Sequence, residues 1–225
     1  MNNLDIFSSI LLTGVGFGIV TYILIVRQSF KDKTFGMPVI MACANFAGDF
    51  ICSFIYPPSP LEKYINMFWL LFDVMFIFLY LKYGKNEFSQ KLPEQLFYPH
   101  FILVLVFSYL TTMCIVDSLF RESYSDAFKF IGIVDNFIMS IMFCSMFLKR
   151  NRLEGQSVYI AFFKLLGSLC IAMAFCLFTQ MSSILYLCVA GFCIFDFIYF
   201  ILVYQETQSL VLVCQEIQNE NVVLK

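Results

Sequence analysis

Residues 183–204 read SILYLCVAGFCIFDFIYFILVY, and Asp196 is the only charged side chain among them. A helix needs about 20 apolar residues to cross the hydrocarbon core of a bilayer. The run is too long and too continuously apolar for a strand of a membrane barrel. It is therefore predicted to be a transmembrane helix.

Six further runs of the same kind precede it and use up most of the chain. The seven predicted spans cover residues 6–26, 37–56, 65–82, 97–116, 127–148, 158–179 and 183–204. We therefore predict an all-α, polytopic membrane protein with seven transmembrane helices. Residues 1–205 form the seven-helix transmembrane domain, and residues 206–225 form a short cytosolic tail, read as a polar helix with one apolar stripe.

The composition supports a membrane protein and excludes a soluble domain. Of the 225 residues, 60% are apolar and 13% are charged, whereas an average soluble domain has about 25% charged residues. No basic patch indicates a nucleic-acid partner. The nine cysteines form no CxxC motif and His100 is the single histidine, so we expect free thiols, no metal and no cofactor.

The basic residues of the loops predict the orientation, because cytosolic loops are enriched in Lys and Arg. One side has ten, namely Arg27, Lys31, Lys33, Lys82, Lys85, Lys91, Lys149, Arg150, Arg152 and Lys225. The other side has three, namely Lys63, Arg121 and Lys129. We predict the N-terminus outside or in the lumen and the C-terminus in the cytosol. The membrane is expected to be the endoplasmic reticulum in a eukaryote and the inner membrane in a bacterium.

Five charged side chains lie well inside the predicted spans, away from their ends, where each costs about 2.5–3.5 kcal/mol on insertion scales. They are Asp49, Asp73, Asp135, Lys164 and Asp196, and the amides Asn45 and Asn136 add uncharged polarity. A membrane chain keeps such a residue when something offsets the cost, so each marks a candidate functional site. Counted along the helices, the polar groups of spans 2, 3, 5 and 7 lie in one layer.

Helical spacing places these groups on shared faces with other polar or aromatic side chains. The pairs four residues apart are Asn45 and Asp49, Trp69 and Asp73, and Asn136 and Ser140. Phe192 and Tyr199 share the face of Asp196. Because polar faces turn away from lipid, we predict a polar, aromatic-lined cavity near the bilayer midplane.

A purely structural role competes with a functional one at several of these positions, because polar side chains also join helices by hydrogen bonds. For Asp135 we favour that role or a solvated edge. For Lys164 we favour snorkelling or a salt bridge to a carboxylate. For Asp73, orienting a neighbour and direct chemistry both remain open.

A carboxyl group in an apolar site with aromatic walls suits carbocation chemistry. Burial disfavours the charged form of a carboxyl group, so a protonated Asp can act as a general acid. Aromatic faces attract the resulting cation. A proton-coupled transporter also needs carboxyl groups at this depth. The residues alone therefore leave two alternatives open, a proton-coupled transporter and a receptor. The sequence has no DDxxD motif of a magnesium–diphosphate site and no Lys in span 7 for a retinal Schiff base. It also has no DRY or NPxxY motif of a G-protein-coupled receptor.

Five segments, in chain order, carry motifs that match one family. They are GMPVIMACANFAGDFICSFIYP at 36–57, FWLLFDVMFIFLYLKYG at 68–84, DNFIMSIMF at 135–143, EGQSVYIAFFKLLGS at 154–168 and CIFDFIYFILVY at 193–204. Together they resemble the integral-membrane terpene cyclases of meroterpenoid and indole-diterpene biosynthesis, the type that closes the pyripyropene and paspaline skeletons. The resemblance covers most of the chain.

The resemblance implies that Asp49 and Asp196 are the catalytic proton-transfer pair. It places Asn45, Trp69, Asp73, Asn136 and Ser140 on the family's other motif positions. Where the family has Trp-Glu in helix 2, this chain has Gly48-Asp49, so the pocket is expected to be wider there. Asp135 stands where the family has Gln.

The resulting hypothesis is a metal-independent, acid-initiated terpene cyclase that protonates an epoxide or alkene of a lipophilic prenyl chain. Asn45 and Asn136 are expected to orient the acids, whereas Trp69, Phe192 and Tyr199 are expected to form the wall around the cation. The expected partners are the bilayer, a lipophilic prenylated substrate, and an upstream prenyltransferase and epoxidase. A proton-coupled transporter or receptor and a non-catalytic scaffold are the alternatives.

Overall fold

The computed structural model describes residues 3–119 and 123–223, and every regular element in these ranges is helical. The helices are α1 (Asn3–Asp32), α2 (Val39–Phe50), α3 (Pro60–Ser89), α4 (Phe97–Leu119), α5 (Tyr124–Arg150), α6 (Val158–Phe178) and α7 (Ser183–Val223). A π-helical turn, Ile51–Ile55, continues α2, and a 3-10 turn, Glu94–Leu96, precedes α4.

Each predicted span falls on one helix, so the prediction of a polytopic all-α membrane protein is confirmed. Within the described ranges, six helices are long and apolar enough to cross a membrane, and the seventh apolar helix, Val39–Ile55, is shorter. The helices extend past the predicted ends at Asp32 and Ser89, and most clearly at the end of α7, which continues to Val223. Apolar periodicity marks only the part of a helix that lies in hydrocarbon, whereas hydrogen bonding continues beyond it.

Side-chain caps fix where three of the helices begin. The hydroxyl oxygens of Ser59, Ser123 and Ser157 each accept a hydrogen bond from a backbone N–H three residues ahead, at 3.2–3.3 Å. Such a cap satisfies one of the N–H groups that have no partner in the first turn. Asn151 ends α5 in the left-handed conformation, with φ 49°.

The bundle places α1 against α6, α7 against both α5 and α6, and α2 against α3 and α4. A shared core of α1, α2, α3, α5, α6 and α7 includes Ile25, Met41, Phe76, Phe143, Ile160 and Tyr199. Large apolar side chains cover the outside, as shown by the exposed fractions of Leu71 (68%), Phe107 (61%) and Leu187 (69%). A lipid-facing surface accounts for these exposed side chains.

Arg150 joins the three loops predicted to share one side. Its Nε and Nη2 donate to Glu87 Oε2 at 3.1 and 2.7 Å, and its Nη1 donates to the carbonyl oxygens of Phe35 and Glu154 at 3.0 Å. The three basic loops therefore lie at the same end of the bundle. Which end faces the cytosol stays a prediction, and two of the counted basic residues, Arg121 and Lys225, lie outside the described residues.

The cysteines and the C-terminal tail were also the subject of predictions. The eight cysteines whose side chains the structure describes are all free, as expected, and the side chain of Cys214 lies outside the description. Residues 206–223 continue α7 without a break, so the predicted tail begins as an extension of the last span. Residues 224–225 of that tail, and the side chains that would form its apolar stripe beyond 215, lie outside the description.

Candidate active site

A cavity of about 350 Å³ lies inside the bundle, within the size range of small-molecule sites. Its walls come from α1, α2 with the π-helical turn that continues it, α3, α5 and α6. The polar wall residues are Thr21, Tyr22, Asn45, Asp49, Cys52, Asn66, Asp135, Asn136, Lys164 and Ser168. The rest of the wall is formed by glycines and by apolar or aromatic side chains, among them Trp69, Phe128 and Phe143.

Asp49 of α2 and Asp73 of α3 face each other within hydrogen-bonding reach. Asp49 lines the cavity, whereas Asp73 is fully buried behind it. Neither oxygen of Asp73 has a donor partner among the described residues. A hydrogen bond between two carboxyl groups requires a proton on one of them, and neighbouring carboxyl groups characteristically share one proton. The pair can therefore hold a proton at the cavity wall.

Tyr22 of α1 connects this pair with the aromatic part of the wall. Its hydroxyl oxygen accepts a hydrogen bond from Asn45 Nδ2 at 3.0 Å. Its ring meets Trp69 edge-on, with centroids 5.0 Å apart, and it lies within electrostatic range of Asp49 and Asp73. Asn45, which was expected to orient an acid, donates its side-chain hydrogen bond to Tyr22 and lines the cavity beside Asp49.

Asp135 of α5 lines the same cavity and interacts electrostatically with Asp49. Of the two structural roles considered for it, joining helices has no support from an interhelical hydrogen bond of Asp135 within the described part of the chain. It also borders a depression of about 360 Å³ on the lipid-facing surface between α2, α4 and α5. Asp135 and Ile131 therefore separate the inner cavity from the bilayer side of the bundle.

Two glycines keep the cavity open. Gly48 of α2 and Gly132 of α5 both line it, and a Cβ atom at either position would meet nothing within 4 Å. Open space is therefore present at Gly48, where the pocket was expected to be wide, and also at Gly132 in the wall formed by α5. A larger side chain at either position would occupy space now available to a ligand.

A second polar cluster surrounds Lys164 of α6. Its Nζ lies 2.6 Å from Asp196 Oδ1 and 2.8 Å from Ser140 Oγ, and it donates a hydrogen bond to each. Ser168 Oγ donates to Asp196 Oδ2 at 2.5 Å and accepts from Asn136 Nδ2 at 3.5 Å. The salt bridge predicted for Lys164 is confirmed, and Lys164, Ser168 and Asn136 bring this cluster to the cavity wall.

The predicted site residues on α7 lie behind the wall. Asp196, Phe192 and Tyr199 are fully buried, and none of them lines the cavity. Because α7 packs against α5 and α6, its polar face meets those helices rather than the open space. Phe192 packs in an apolar cluster with Ile133 and Val189. Phe192 and Tyr199 are therefore not part of the wall of this cavity, and Asp196 is hydrogen-bonded to two residues that are, Lys164 and Ser168.

The residues that replace them were not predicted. Tyr22, Phe128 and Phe143 supply the aromatic wall together with Trp69. The α1 residues had a usable signal, because the cavity-lining Gly14, Gly18, Tyr22 and Ile25 follow helical spacing along one face. No comparable pattern of charge distinguishes Phe128 or Phe143 from the chain's many other phenylalanines. Within the described residues, no group of His, Cys, Asp and Glu side chains could hold a metal ion.

Fold and site together define a polytopic α-helical membrane protein with a carboxyl pair at an internal, partly aromatic cavity. The chain belongs to the family of Pyr4-like transmembrane terpene cyclases, whose model matches residues 4–209. No solved structure matches the fold.

Named relatives agree with this family. The chain is 24% identical over 156 residues to the Pyr4-family terpene cyclase mfmH of Annulohypoxylon moriforme, covering 65% of this chain and 60% of the relative. It is 31% identical over 80 residues to terpene cyclase pyr4 of Aspergillus fumigatus, covering 35% and 33%. It is 26% identical over 166 residues to terpene cyclase penB of Penicillium crustosum, covering 72% and 67%. The chain thus matches less than two thirds of the length of the first two, and these names give no support to a transporter.

Proposed function

We propose that this protein is a membrane-embedded terpene cyclase that starts its reaction with a proton from the Asp49–Asp73 pair. The observation that carries the proposal is that Asp49 lines a partly aromatic cavity inside the bundle and is backed by the buried carboxyl group of Asp73. Membership of the terpene cyclase family supports it.

The proton passes from the carboxyl group of Asp49 to the substrate, because Asp49 lines the cavity and Asp73 does not. With an epoxide, the proton binds the ring oxygen and the carbon–oxygen bond breaks. With an alkene, the proton forms a new carbon–hydrogen bond. The cation is then attacked by the next double bond of the prenyl chain, which closes a ring.

The walls of the cavity suit the cation that forms. Tyr22, Trp69, Phe128 and Phe143 supply aromatic rings, whose faces attract positive charge. Exclusion of bulk water protects a cation from capture before the chain has folded. The last cation loses a proton to a carboxylate, and Asp135 is the acceptor we propose because it lines the cavity on a different helix from Asp49. Product and substrate therefore have the same formula.

In this mechanism the carboxylic acid, rather than a metal-bound diphosphate, triggers the reaction, so turnover should survive chelation of divalent metals. The substrate is a lipophilic prenylated molecule that reaches the protein through the bilayer. A prenyltransferase and an epoxidase would act upstream. We propose the endoplasmic reticulum membrane as the compartment in a eukaryotic cell and the inner membrane in a bacterial one.

The test is mass spectrometry of membranes that contain the protein, incubated in heavy water with prenylated aromatics with and without a terminal epoxide. An isomer of unchanged formula that depends on the protein supports the proposal, and deuterium fixed on carbon indicates protonation of an alkene. Asp49→Asn should remove about 99% or more of the product, since positioned acids contribute about 10²–10⁴-fold.

Asp126→Asn is the matched control, because Asp126 is an exposed carboxylate that pairs with Lys129 at 3.1 Å. The Asp126→Asn variant should retain full turnover, and EDTA should not change that turnover. Full turnover by Asp49→Asn would contradict the assignment of the acid, and no isomer from any substrate would contradict cyclase activity.

A further inference from the structure

The cavity has a second polar end, formed by Lys164, Ser168 and Asn136, that protonation of a prenyl chain does not use. The Lys164 side chain at this end is 6% exposed and is held in place by its salt bridge to Asp196. Burying an ammonium group in a bilayer is expensive. Because the Lys164 ammonium group lies at the wall of a cavity, we infer that it has a role besides joining helices.

The donors of Lys164 are not exhausted by the protein. An ammonium group has three N–H donors. Two are taken by Asp196 Oδ1 and Ser140 Oγ. Nζ makes no third hydrogen bond within the described residues; the ring of Phe143 lies beside it, with its centroid at 5.7 Å, and Phe143 itself lines the cavity. One N–H is thus available to a ligand in the cavity.

The charge of this end favours a neutral oxygen over an anion. The ammonium is paired with the carboxylate of Asp196, so the two charges cancel. A full negative charge on the ligand would approach Asp196 as well as Lys164. A carbonyl oxygen, in contrast, accepts the free N–H without adding charge.

Asn136 provides a second polar group at this end of the cavity. Since the Ser168 hydroxyl donates to Asp196, it accepts from Asn136 Nδ2, and this assigns the amide nitrogen to Ser168. The amide oxygen of Asn136 can then accept a hydroxyl group of a ligand. The end of the cavity thus offers one donor and one acceptor to a head group.

We propose that Lys164 binds a carbonyl oxygen of the substrate's head group, and that this contact selects prenyl chains on an oxygenated aromatic or polyketide head over the same chains on an indole. The inference rests on the proposed function for its substrate. An indole ring offers an N–H donor and no carbonyl acceptor, so Lys164 would face it with an unused donor. A buried polar group left without a partner is what makes such discrimination strong.

The test uses the purified protein in lipid nanodiscs and three probes with one terminally epoxidised farnesyl chain. The chain is attached to a hydroxybenzoate ester, to indole, or to no head at all. The variant is Lys164→Met with Asp196→Leu, which removes both charges together so that neither is left buried alone. KM and kcat are measured for each probe.

We expect the KM for the hydroxybenzoate probe to rise about 10- to 100-fold, the effect of losing a hydrogen bond to a charged group. The KM for the headless and indole probes should change less than about 3-fold, since neither makes that bond. Equal effects on all three probes, or none, would overturn the proposal, because a merely structural role does not depend on the head group.

A binding measurement separates this inference from the proposed reaction. Trp69 is the only tryptophan of the chain and lines the cavity, so its fluorescence reports binding without turnover. If no probe is cyclised but only the hydroxybenzoate probe binds more weakly to the variant, the head-group contact stands and the proposed reaction fails. If cyclisation proceeds and the variant binds all probes as the unmodified protein does, the reaction stands and the contact fails.

Discussion

Lys164 Nζ lies 2.6 Å from Asp196 Oδ1, and the two side chains are 6% and 0% exposed. The ion pair joins α6 to α7 inside the bundle, with Ser140 and Ser168 as further hydrogen-bond partners. Breaking a buried pair on one side leaves the other charge uncompensated, whereas replacing both with apolar residues is often tolerated.

Asp196→Asn is therefore expected to destabilise the protein by about 3–5 kcal/mol. The double variant Lys164→Met/Asp196→Leu should recover most of that loss. Thermal unfolding in detergent, compared across the single and double variants, measures both effects. If Asp196→Asn unfolds at the same temperature as the unmodified protein, the pair does not hold α6 and α7 together.

Asp49→Glu tests the geometry of the carboxyl pair. One added methylene moves the acid relative to Asp73, which faces it from α3. Small displacements of a catalytic group are costly, so we expect product formation to fall about 10- to 100-fold. The measurement is the rate of isomer formation in membranes with equal amounts of folded protein. A gain of activity in Asp49→Glu would instead support a protein whose activity had been lost, the scaffold alternative.

Gly132→Leu tests whether open space at α5 sets the size of the substrate. A Cβ at Gly132 would point into unoccupied cavity volume, so leucine should lower kcat/KM most for the longest prenyl chains. Gly16→Leu is the matched control, because Gly16 is a helical, exposed glycine with equally free space that does not line the cavity. Each replacement should stabilise its helix by about 0.5–1 kcal/mol, because leucine has a higher helix propensity than glycine.

The comparison is made with prenyl chains of two lengths, read as the ratio of their kcat/KM values. A lower ratio of long to short chains in Gly132→Leu alone supports the role of the glycine. The same ratio in both variants would show that Gly132 does not limit the size of the substrate.

Arg150→Met tests the contact among the three basic loops. The Arg150 side chain is 6% exposed, it bonds to Glu87, and its Nη1 reaches two backbone carbonyl oxygens. Its loss should cost about 2–4 kcal/mol of stability. Arg152→Met is the control, because the Arg152 side chain is 71% exposed and exposed pairs contribute about 0–1 kcal/mol. Equal melting temperatures for the two variants would contradict the role of Arg150.

The orientation predicts which loops face the cytosol. Single cysteines at Lys33 and Arg152, in a background without the native cysteines, should be labelled only from the cytosolic side of intact membranes. A cysteine at Lys63 should be labelled only from the opposite side. A membrane-impermeant maleimide makes the distinction. Labelling of Lys63→Cys from the cytosol would reverse the predicted topology.

Much of the fold was predictable from the sequence. The apolar runs gave the number and order of the helices, because no other element satisfies its backbone in lipid except a closed barrel. The periodicity of Asn45 and Asp49, or of Trp69 and Asp73, gave the polar face of each helix. It did not give the neighbour of that face. For Asp49 the face turns to α3 and the cavity, whereas for Asp196 it turns to α6.

The sequence by itself determined a polytopic membrane protein with a layer of buried polar groups, because burial in hydrocarbon imposes strong constraints on composition and length. Only the tertiary structure decided that Asp73, rather than Asp196, faces Asp49, and that Tyr22 and Phe143 line the cavity in place of Phe192 and Tyr199. The physical reason is that helical spacing fixes side chains relative to their own axis. The rotation and the neighbours of each helix depend on packing against all the others.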